Sequence, residues 1–278
     1  MQYLARSVTV ALASLLAFIL PNPCAHSADF RSIHYYHNSY VLILHGPIIA
    51  GDAARFQQLA VSELRAGHVL VALRAYSPGG STDEAVNIGR QVRMLKLYTF
   101  GPVKDPQGKS ICNYSDIDHF TMQSGHYGSD CICASACSLI WMGGAGRDGD
   151  AVIGIHAPRY DEMSFSKFSP DQADEQYKEV VALLKGYFNE LGDVPTWTLQ
   201  KMLSSDSSHM HYLDAQEIAE FYNFNPALEE LVLARCGKIP GGNLWVDSAR
   251  KRFFDCDQPI LEQAAANVQR NYLATYGN

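Results

Sequence analysis

Three short apolar runs, separated by two segments with helical periodicity, constrain the fold of this chain more than any other feature. The runs are Tyr40–Ile48, His68–Tyr76 and Lys96–Phe100, and each has the length and composition of a strand. An alternating strand, helix, strand, helix, strand order predicts parallel pairing through right-handed crossovers. The sequence therefore predicts an α/β fold.

The two intervening helices have recognisable boundaries. Asp52–Ala66 carries apolar residues at helical spacing and is followed by a glycine. Ser81 and Glu84, spaced three apart, predict a capping box at the start of the second helix. Further helical patterns cover residues 171–191 and 214–222.

The amino terminus has the pattern of a secretory signal. Arg6 is followed by the thirteen-residue apolar run "VTVALASLLAFIL", then by prolines and small residues. A membrane-spanning helix needs roughly 20 apolar residues, so this run is short for an anchor. We expect cleavage after about residue 27, a periplasmic or secreted protein, and no membrane association after cleavage.

The charge of the chain bears on its partners. The formal net charge is -7, and removal of Arg6 with residues 1–27 makes it -8. An acidic protein is poorly suited to phosphate backbones, so we expect no nucleic-acid partner. The length predicts one large domain, residues 28–222, with an insertion at 102–130 and an extension at 223–278.

Six cysteines follow the predicted signal, and an even number in an exported protein favours disulfides over metal ligation. Cys236 and Cys256 lie close together in the extension, and we expect them to pair. The other four could pair in three ways, remain free thiols or bind zinc, although they lack clear zinc-ligand spacing: Cys112, Cys131, Cys133 and Cys137. We therefore expect no metal site.

Cys133 and Cys137 are four residues apart, which on one helix would make a disulfide between them strained. We expect one or both to bridge to Cys112 or Cys131, holding the insertion beside this segment. The alternative is that a cysteine at a helix start acts as a nucleophile.

Three motifs carry the chemistry. They are "SPGG" at residues 77–80, "ASACSLIWMGG" at 134–144 and "GIHAP" at 154–158. A serine at the start of an apolar helix lies where backbone N–H groups and the helix dipole stabilise negative charge. The alternative is structural: Ser135 as a helix cap, His156 as a hydrogen-bonded strand-end residue, and the glycines as turn formers.

The order and character of these motifs resemble the proteolytic subunit of the Clp protease, within the wider ClpP/crotonase superfamily. The resemblance covers about residues 40–222 and implies repeated β-β-α or β-α units with a mainly parallel sheet. It implies Ser135 as nucleophile, His156 as general base, and the N–H groups of Gly80 and Ala136 as the oxyanion hole. The insertion at 102–130 and the disulfide-held extension after residue 223 depart from the family.

The third member of the triad is missing at its expected place. The acid of the family precedes a pattern that reads "HYLDAQEIAEFY" here, and that position holds Met210. The role falls to Asp206 or Asp214, or the site is a dyad, or activity is lost. We favour Asp206, because Asp214 is placed to cap the helix that follows it, while His209 could compete.

These observations predict an exported serine hydrolase, a peptidase acting on a peptide or protein without an ATPase partner and without a cofactor. The resemblance implies a homo-oligomer, although the insertion and the extension could block the surfaces used for ring assembly. The rival interpretation, favoured by Met210, is a non-catalytic binding or scaffold protein with the same fold. A crotonase-type acyl-CoA enzyme fits export poorly.

Overall fold

The computed structural model describes residues 27–114, 126–159, 166–205, 208–221, 226–240 and 248–277. The predicted signal segment up to residue 26 lies outside the described residues, as does Asp206. The strands in these ranges are β1 (Asp29–Tyr36), β2 (Ser39–His45), β3 (Val69–Tyr76), β4 (Tyr98–Phe100), β5 (Val103–Lys104), β6 (Ser110–Cys112), β7 (His126–Tyr127), β8 (Cys133–Ala134), β9 (Gly146–Arg147), β10 (Ile153–Ile155) and β11 (His211–Tyr212). The helices are α1 (Asp52–Arg65), α2 (Thr82–Met94), α3 (Ala136–Met142), α4 (Pro170–Leu191), α5 (Trp197–Ser204), α6 (Ala215–Glu220), α7 (Pro226–Cys236) and α8 (Ser248–Tyr276).

The main sheet has the strand order β1-β2-β3-β4-β9. The pairs from β2 to β9 are parallel, which confirms the α/β class and the parallel pairing of the three predicted strands. Strand β1 was not predicted, and it pairs antiparallel with β2 at the edge of the sheet. Its alternating polar and apolar residues leave it half-exposed, so it lacks the continuous apolar character of the buried strands.

Helices α1 and α2 are joined by a carboxylate at their amino ends. Ser81 caps α2 by accepting from Glu84 N at 3.4 Å, as predicted. The Glu84 side chain does not complete the capping box but accepts from Gly51 N at 3.0 Å and Ala53 N at 2.7 Å. Because the N-cap of α1 is Gly51, which has no side chain, Glu84 supplies the missing acceptor.

A second sheet, with the order β11-β10-β8, carries the segments that contain Ser135 and His156. Strands β8 and β10 are parallel, and β11 is antiparallel to β10. A bridge between Ser77 and Cys133 attaches this sheet to the end of β3. The "SPGG" turn and the serine segment are therefore adjacent.

The insertion forms a third, antiparallel sheet with the order β5-β6-β7. Residues 115–125 of the insertion lie outside the described residues. The Cys112–Cys131 disulfide connects β6 to the chain that enters β8. This pairing is one of those expected from the sequence, and it holds the insertion beside the serine segment.

The second disulfide of this region corrects a prediction. Cys133 pairs with Cys137, with their Cα atoms 5.2 Å apart, and neither bridges to the insertion. The two cysteines do not share one helix, as their spacing predicts, because Cys133 belongs to β8 and Cys137 to α3. The turn at Ser135 between them brings their side chains together. The predicted Cys236–Cys256 disulfide is present.

The C-terminal extension packs against the domain and is not a separate tail. Tyr272 of α8 is buried in the main apolar cluster, and its hydroxyl donates to Gln91 of α2 at 2.7 Å. Gln269 is 2% exposed and hydrogen-bonds to the backbone of Leu70 in β3. Within the described ranges, no helix combines the length and apolar composition that crossing a bilayer requires.

Candidate active site

Ser135 occupies a sharp turn between β8 and α3. Its backbone angles are φ 56° and ψ -126°, a conformation that a residue with a side chain rarely adopts. Such a conformation costs about 1–3 kcal/mol and persists only where the surroundings hold it. A serine on a strained turn from strand to helix is the arrangement that exposes a nucleophilic hydroxyl in hydrolases.

Contacts on both sides hold this turn in place. Ser135 N donates to Gly154 O of β10 at 2.9 Å. Ser135 O accepts from Ser138 N at 3.0 Å and from Ser138 Oγ at 2.6 Å. The Cys133–Cys137 disulfide closes around the turn. The hydroxyl is half-buried and, within the described ranges, makes no hydrogen bond, so it remains available to react.

The "SPGG" turn lies directly against the serine. A Cβ built on Gly79 would lie 2.6 Å from Ser135 Cβ and 3.1 Å from Ala136 N, closer than side chains approach. Gly79 also has a φ of +105°, which glycine adopts readily. Ser77 Oγ accepts from Gly79 N at 3.1 Å and fixes the turn from within.

The two predicted oxyanion-hole residues follow directly on the pair in contact, Gly80 after Gly79 and Ala136 after Ser135. Ile48 N donates to Gly79 O at 2.8 Å, and Ser81 N donates to Ile48 O at 2.9 Å, so the N–H of Gly80 takes no part in that bridge. The N–H of Ala136 belongs to the first residue of α3, where the helix provides no acceptor. Both groups are candidates for receiving a negatively charged oxygen next to Ser135.

His156 follows the last residue of β10, the parallel neighbour of β8. Its Nδ1 lies 2.6 Å from Ala157 O, and because a carbonyl oxygen only accepts, Nδ1 carries the proton. In the neutral imidazole, Nε2 is then the nitrogen that can accept a proton. No hydrogen bond joins His156 to Ser135 Oγ in the part of the chain that the structure describes. The expected contact would have to form when substrate binds.

The residue at the expected acid position flanks His156 but cannot serve it. The β10–β11 register pairs Gly154 with Tyr212 and Ile155 with His211, which places Met210 beside His156. Met210 packs on Gly154, where an added Cβ would lie 2.7 Å from Met210 Cγ. A thioether carries no charge to orient or stabilise an imidazolium.

The carboxylates of Asp214 and Glu217, on or next to α6, are engaged in other contacts. Asp214 Oδ1 accepts from Gln216 N and Glu217 N at 2.9 Å each, which confirms its predicted role as a helix cap. Burial disfavours the charged form of Glu217, but hydrogen bonds from Lys201 and His211 outweigh it and lower its pKa to about 2. Asp206 lies outside the described residues, so its role stays a prediction.

Sequence reasoning missed two contributions to this site. Gly79 was read only as part of a turn, although it is the residue packed on Ser135. The carbonyl of Ala157 orients His156, but backbone carbonyls leave no trace in a sequence. The glycine pair in "SPGG" was the available signal for the first, and no signal existed for the second.

A second cluster of polar side chains lies in and beside the insertion. His126, Asp130 and Cys131 place potential metal ligands within 4.8 Å of one another. The sulfur of Cys131 is bonded to Cys112, so it is not available as a thiolate ligand. Asp130 instead binds two histidines, His45 at 3.0 Å and His126 at 3.2 Å.

No protein-family model matches this chain, and no curated protein is detectably similar to it in sequence.

Proposed function

We propose that this protein is an exported serine hydrolase that cleaves peptides through an acyl-enzyme on Ser135, with His156 as the base. The observation that carries the proposal is the strained backbone of Ser135 between β8 and α3. A serine that served only as a helix cap would have no need of a positive φ, and Ser135 caps nothing with its side chain.

The reaction follows from the positions of the groups. His156 Nε2 takes the proton of Ser135 Oγ while the oxygen attacks the carbonyl carbon of the peptide bond. The carbonyl oxygen becomes negative and receives hydrogen bonds from the N–H groups of Gly80 and Ala136. The imidazolium then protonates the departing amine, which leaves an ester on Ser135. Water activated by the same imidazole hydrolyses this ester and restores the hydroxyl.

Ala157 O takes part of the role of the missing acid. It holds the ring in the tautomer that leaves Nε2 free, as a triad carboxylate does. It carries a dipole rather than a full charge, so it stabilises the imidazolium less than a carboxylate would. A dyad of this kind should turn over slowly unless Asp206 adds its charge.

The motif order supports a peptidase related to the Clp proteolytic subunit, and the three disulfides fit an oxidising compartment such as the periplasm or the outside of the cell. ATP is not expected there. We therefore place the activity without an ATP-driven unfoldase, on substrates that are already unfolded or short.

A fluorophosphonate probe tests the proposal because it reacts only with an activated serine. We expect the mature protein to be labelled, with the label mapped by mass spectrometry to the peptide that contains Ser135. Ser135→Ala should abolish labelling, whereas Ser204→Ala, at an exposed serine near the end of α5, should keep it. Labelling at another serine, or none at any pH between 6 and 9, would contradict the proposal.

A non-catalytic binding protein is the second candidate. Two observations favour it: Met210 stands at the expected acid position, and no hydrogen bond joins the described side chains of Ser135 and His156. In that case the same cleft would bind a peptide without cleaving it. The protein would then bind peptides equally well before and after Ser135→Ala and would not react with the probe.

A further inference from the structure

A groove of about 570 Å³ lies between the insertion sheet and the second sheet. Its volume is within the range of ligand-binding pockets in proteins. The lining combines apolar residues, aromatic residues and cations, contributed by both sheets: Lys104, Lys109, Tyr127, Ile132, Val152 and Tyr212. Tyr127 and Tyr212 are 46% and 45% exposed, so both rings are accessible from solvent.

Two of the lining residues, Lys104 and Lys109, bring positive charge to the groove. Both are exposed, and neither ammonium group forms an ion pair or hydrogen bond with any residue in the described ranges. The antiparallel bridge between Val103 and Ala151 places Asp150 across from Lys104, without an ion pair between them, and two further carboxylates near the groove are engaged elsewhere. Asp105 accepts from Gln107 N at 2.9 Å and Lys109 N at 2.7 Å, and Asp130 is paired with two histidines. Among the described residues, this groove therefore carries two lysines without an ion pair, in a chain of net charge -7.

The groove is on the same face of the second sheet as His156. Ile153 and Ile155 are fully buried in the core, so Val152, Gly154 and His156 face the other way. Tyr212, which lines the groove, lies on the same face, because a Cβ built on Gly154 would be 3.1 Å from Tyr212 Cε1. Val152 precedes His156 by four positions, which corresponds to roughly 13 Å along a strand.

We propose that this groove binds acidic side chains of an extended peptide substrate, about three to four residues from the bond that Ser135 attacks. The separation follows because an extended peptide advances by the same ~3.3 Å per residue as the strand beside it. The two ammonium groups attract carboxylates, while Ile132 and Val152 provide an apolar floor and the tyrosines flank the chain. The distance from the groove to the cut bond rests on the proposed function. The binding of acidic side chains in the groove does not.

The binding experiment uses the full mature chain with Ser135→Ala, so that no peptide is consumed. The probe is a fluorescein-labelled peptide of alanine and serine, about ten residues long, with two adjacent glutamates, and its partner has glutamines instead. We expect the glutamate peptide to bind at least about tenfold more tightly by fluorescence anisotropy. Lys104→Glu with Lys109→Glu should remove this preference.

The matched control reverses two exposed lysines that do not line the groove, Lys167→Glu with Lys185→Glu. It changes the net charge identically, yet surface charges beyond about 8 Å are largely screened at physiological salt. We expect it to keep the preference. Equal loss of the glutamate preference in both double variants would overturn the proposal. Equal binding of the two peptides to the Ser135→Ala protein would also overturn it, and that result does not require either lysine variant to fold.

A cleavage experiment separates this proposal from the proposed function. The unsubstituted protein is given peptides in which one glutamate is moved along the sequence, and we expect cleavage to be fastest with glutamate three to four residues from the cut bond. Glutamate preference in binding without cleavage would support the groove and contradict the hydrolase. Cleavage that is indifferent to glutamate at every position would leave the hydrolase standing and overturn the groove.

Discussion

Gly79 has no side chain, and the position of Ser135 depends on that. We expect Gly79→Ala to push the Ser135 turn out of place, since the new Cβ would lie 2.6 Å from Ser135 Cβ. Alanine also disfavours the φ of +105° by about 1–2 kcal/mol. The variant should lose fluorophosphonate labelling and unfold at a lower urea concentration than the unchanged protein.

Gly51→Ala provides the matched control for this prediction. Gly51 has a similar φ of +91°, but a Cβ there would meet nothing within 4 Å. Gly51→Ala should lose stability only through its disfavoured φ, and it should keep its fluorophosphonate labelling. If both variants lose labelling equally, crowding against Ser135 is not the reason.

Position 210 can be used to test whether His156 lacks a neighbouring carboxylate. Met210→Asp places a carboxylate beside His156, where it can stabilise the imidazolium that forms during the reaction. Because losing the orienting acid of a triad can lower turnover by about 10⁴, restoring one should raise the labelling rate at least about tenfold. A nearby carboxylate raises the pKa of an imidazole, so the rise of the rate with pH should move to higher pH.

Met210→Asn is the uncharged control for this change. It introduces a polar group of the same size and should leave both the rate and its pH dependence close to those of the unchanged protein. An equal acceleration by both variants would mean that removal of methionine matters and not the charge. No change in either would fit a site whose acid is already supplied, by Asp206 or another group.

Among the elements, the junction of α3 with β4 and β9 carries a half-buried carboxylate. Asp148 Oδ1 accepts from Trp141 Nε1 at 2.9 Å and from Gly101 N at 3.3 Å. Burial raises its pKa from 3.8 to about 7, against the opposing effect of these hydrogen bonds. The folded protein therefore binds a proton here between about pH 4 and 7 that the unfolded chain does not, and this contribution to stability falls as pH rises through that window.

Asp148→Asn should remove this dependence. The amide oxygen can still accept from Trp141 and Gly101, and no charge has to be buried, so the variant should be more stable than the unchanged protein above pH 7. Below about pH 4 the advantage should vanish. Urea unfolding followed by tryptophan fluorescence at several pH values measures this, and Asp29→Asn, at the exposed first residue of β1, is the control. A parallel pH profile for Asp148→Asn and the unchanged protein would contradict the argument.

The elements also show which parts of the fold a sequence can reveal. Strands β2 and β3 and helices α1 and α2 were predicted within a few residues, because each carries its own apolar pattern. Strand β8 has only two residues, too few for any periodicity, so Cys133 was assigned to the helix that follows Ser135. The wrong disulfide followed from that one assignment.

The site was predictable to the same extent. Ser135 and His156 could be selected because they lie in distinctive short motifs that keep their order along the chain. The contact between Gly79 and Ser135 joins residues far apart in sequence, and the sequence holds no measure of how closely two turns approach. The lysine groove is of the same kind, since it exists only where the insertion folds back on the second sheet.

At the scale of the whole molecule, the last helix, α8, packs on the main sheet and hydrogen-bonds to its backbone. Helix α8 lies on β3 and α1, and its Gln269 is almost completely buried. Its side chain accepts from Leu70 N at 3.0 Å and donates to Leu70 O and to Leu95 O, the latter at 3.2 Å. These are backbone groups at the edge of the core, and water cannot reach them while α8 is in place.

Gln269→Leu should therefore destabilise the protein, because it removes hydrogen bonds to buried backbone groups. The leucine fills a similar volume but leaves a buried N–H and two carbonyls without partners, at a cost of about 1–3 kcal/mol for each unsatisfied group that stays dry. We expect a total loss of roughly 2–5 kcal/mol in the free energy of unfolding, measured in urea with the Cys236–Cys256 disulfide intact. Gln263→Leu, on an exposed face of the same helix, makes the same chemical change and should alter stability by no more than about 0.5 kcal/mol. If the two variants behave alike, α8 does not form part of the folded core in solution, and the extension is a tail held by its disulfide alone.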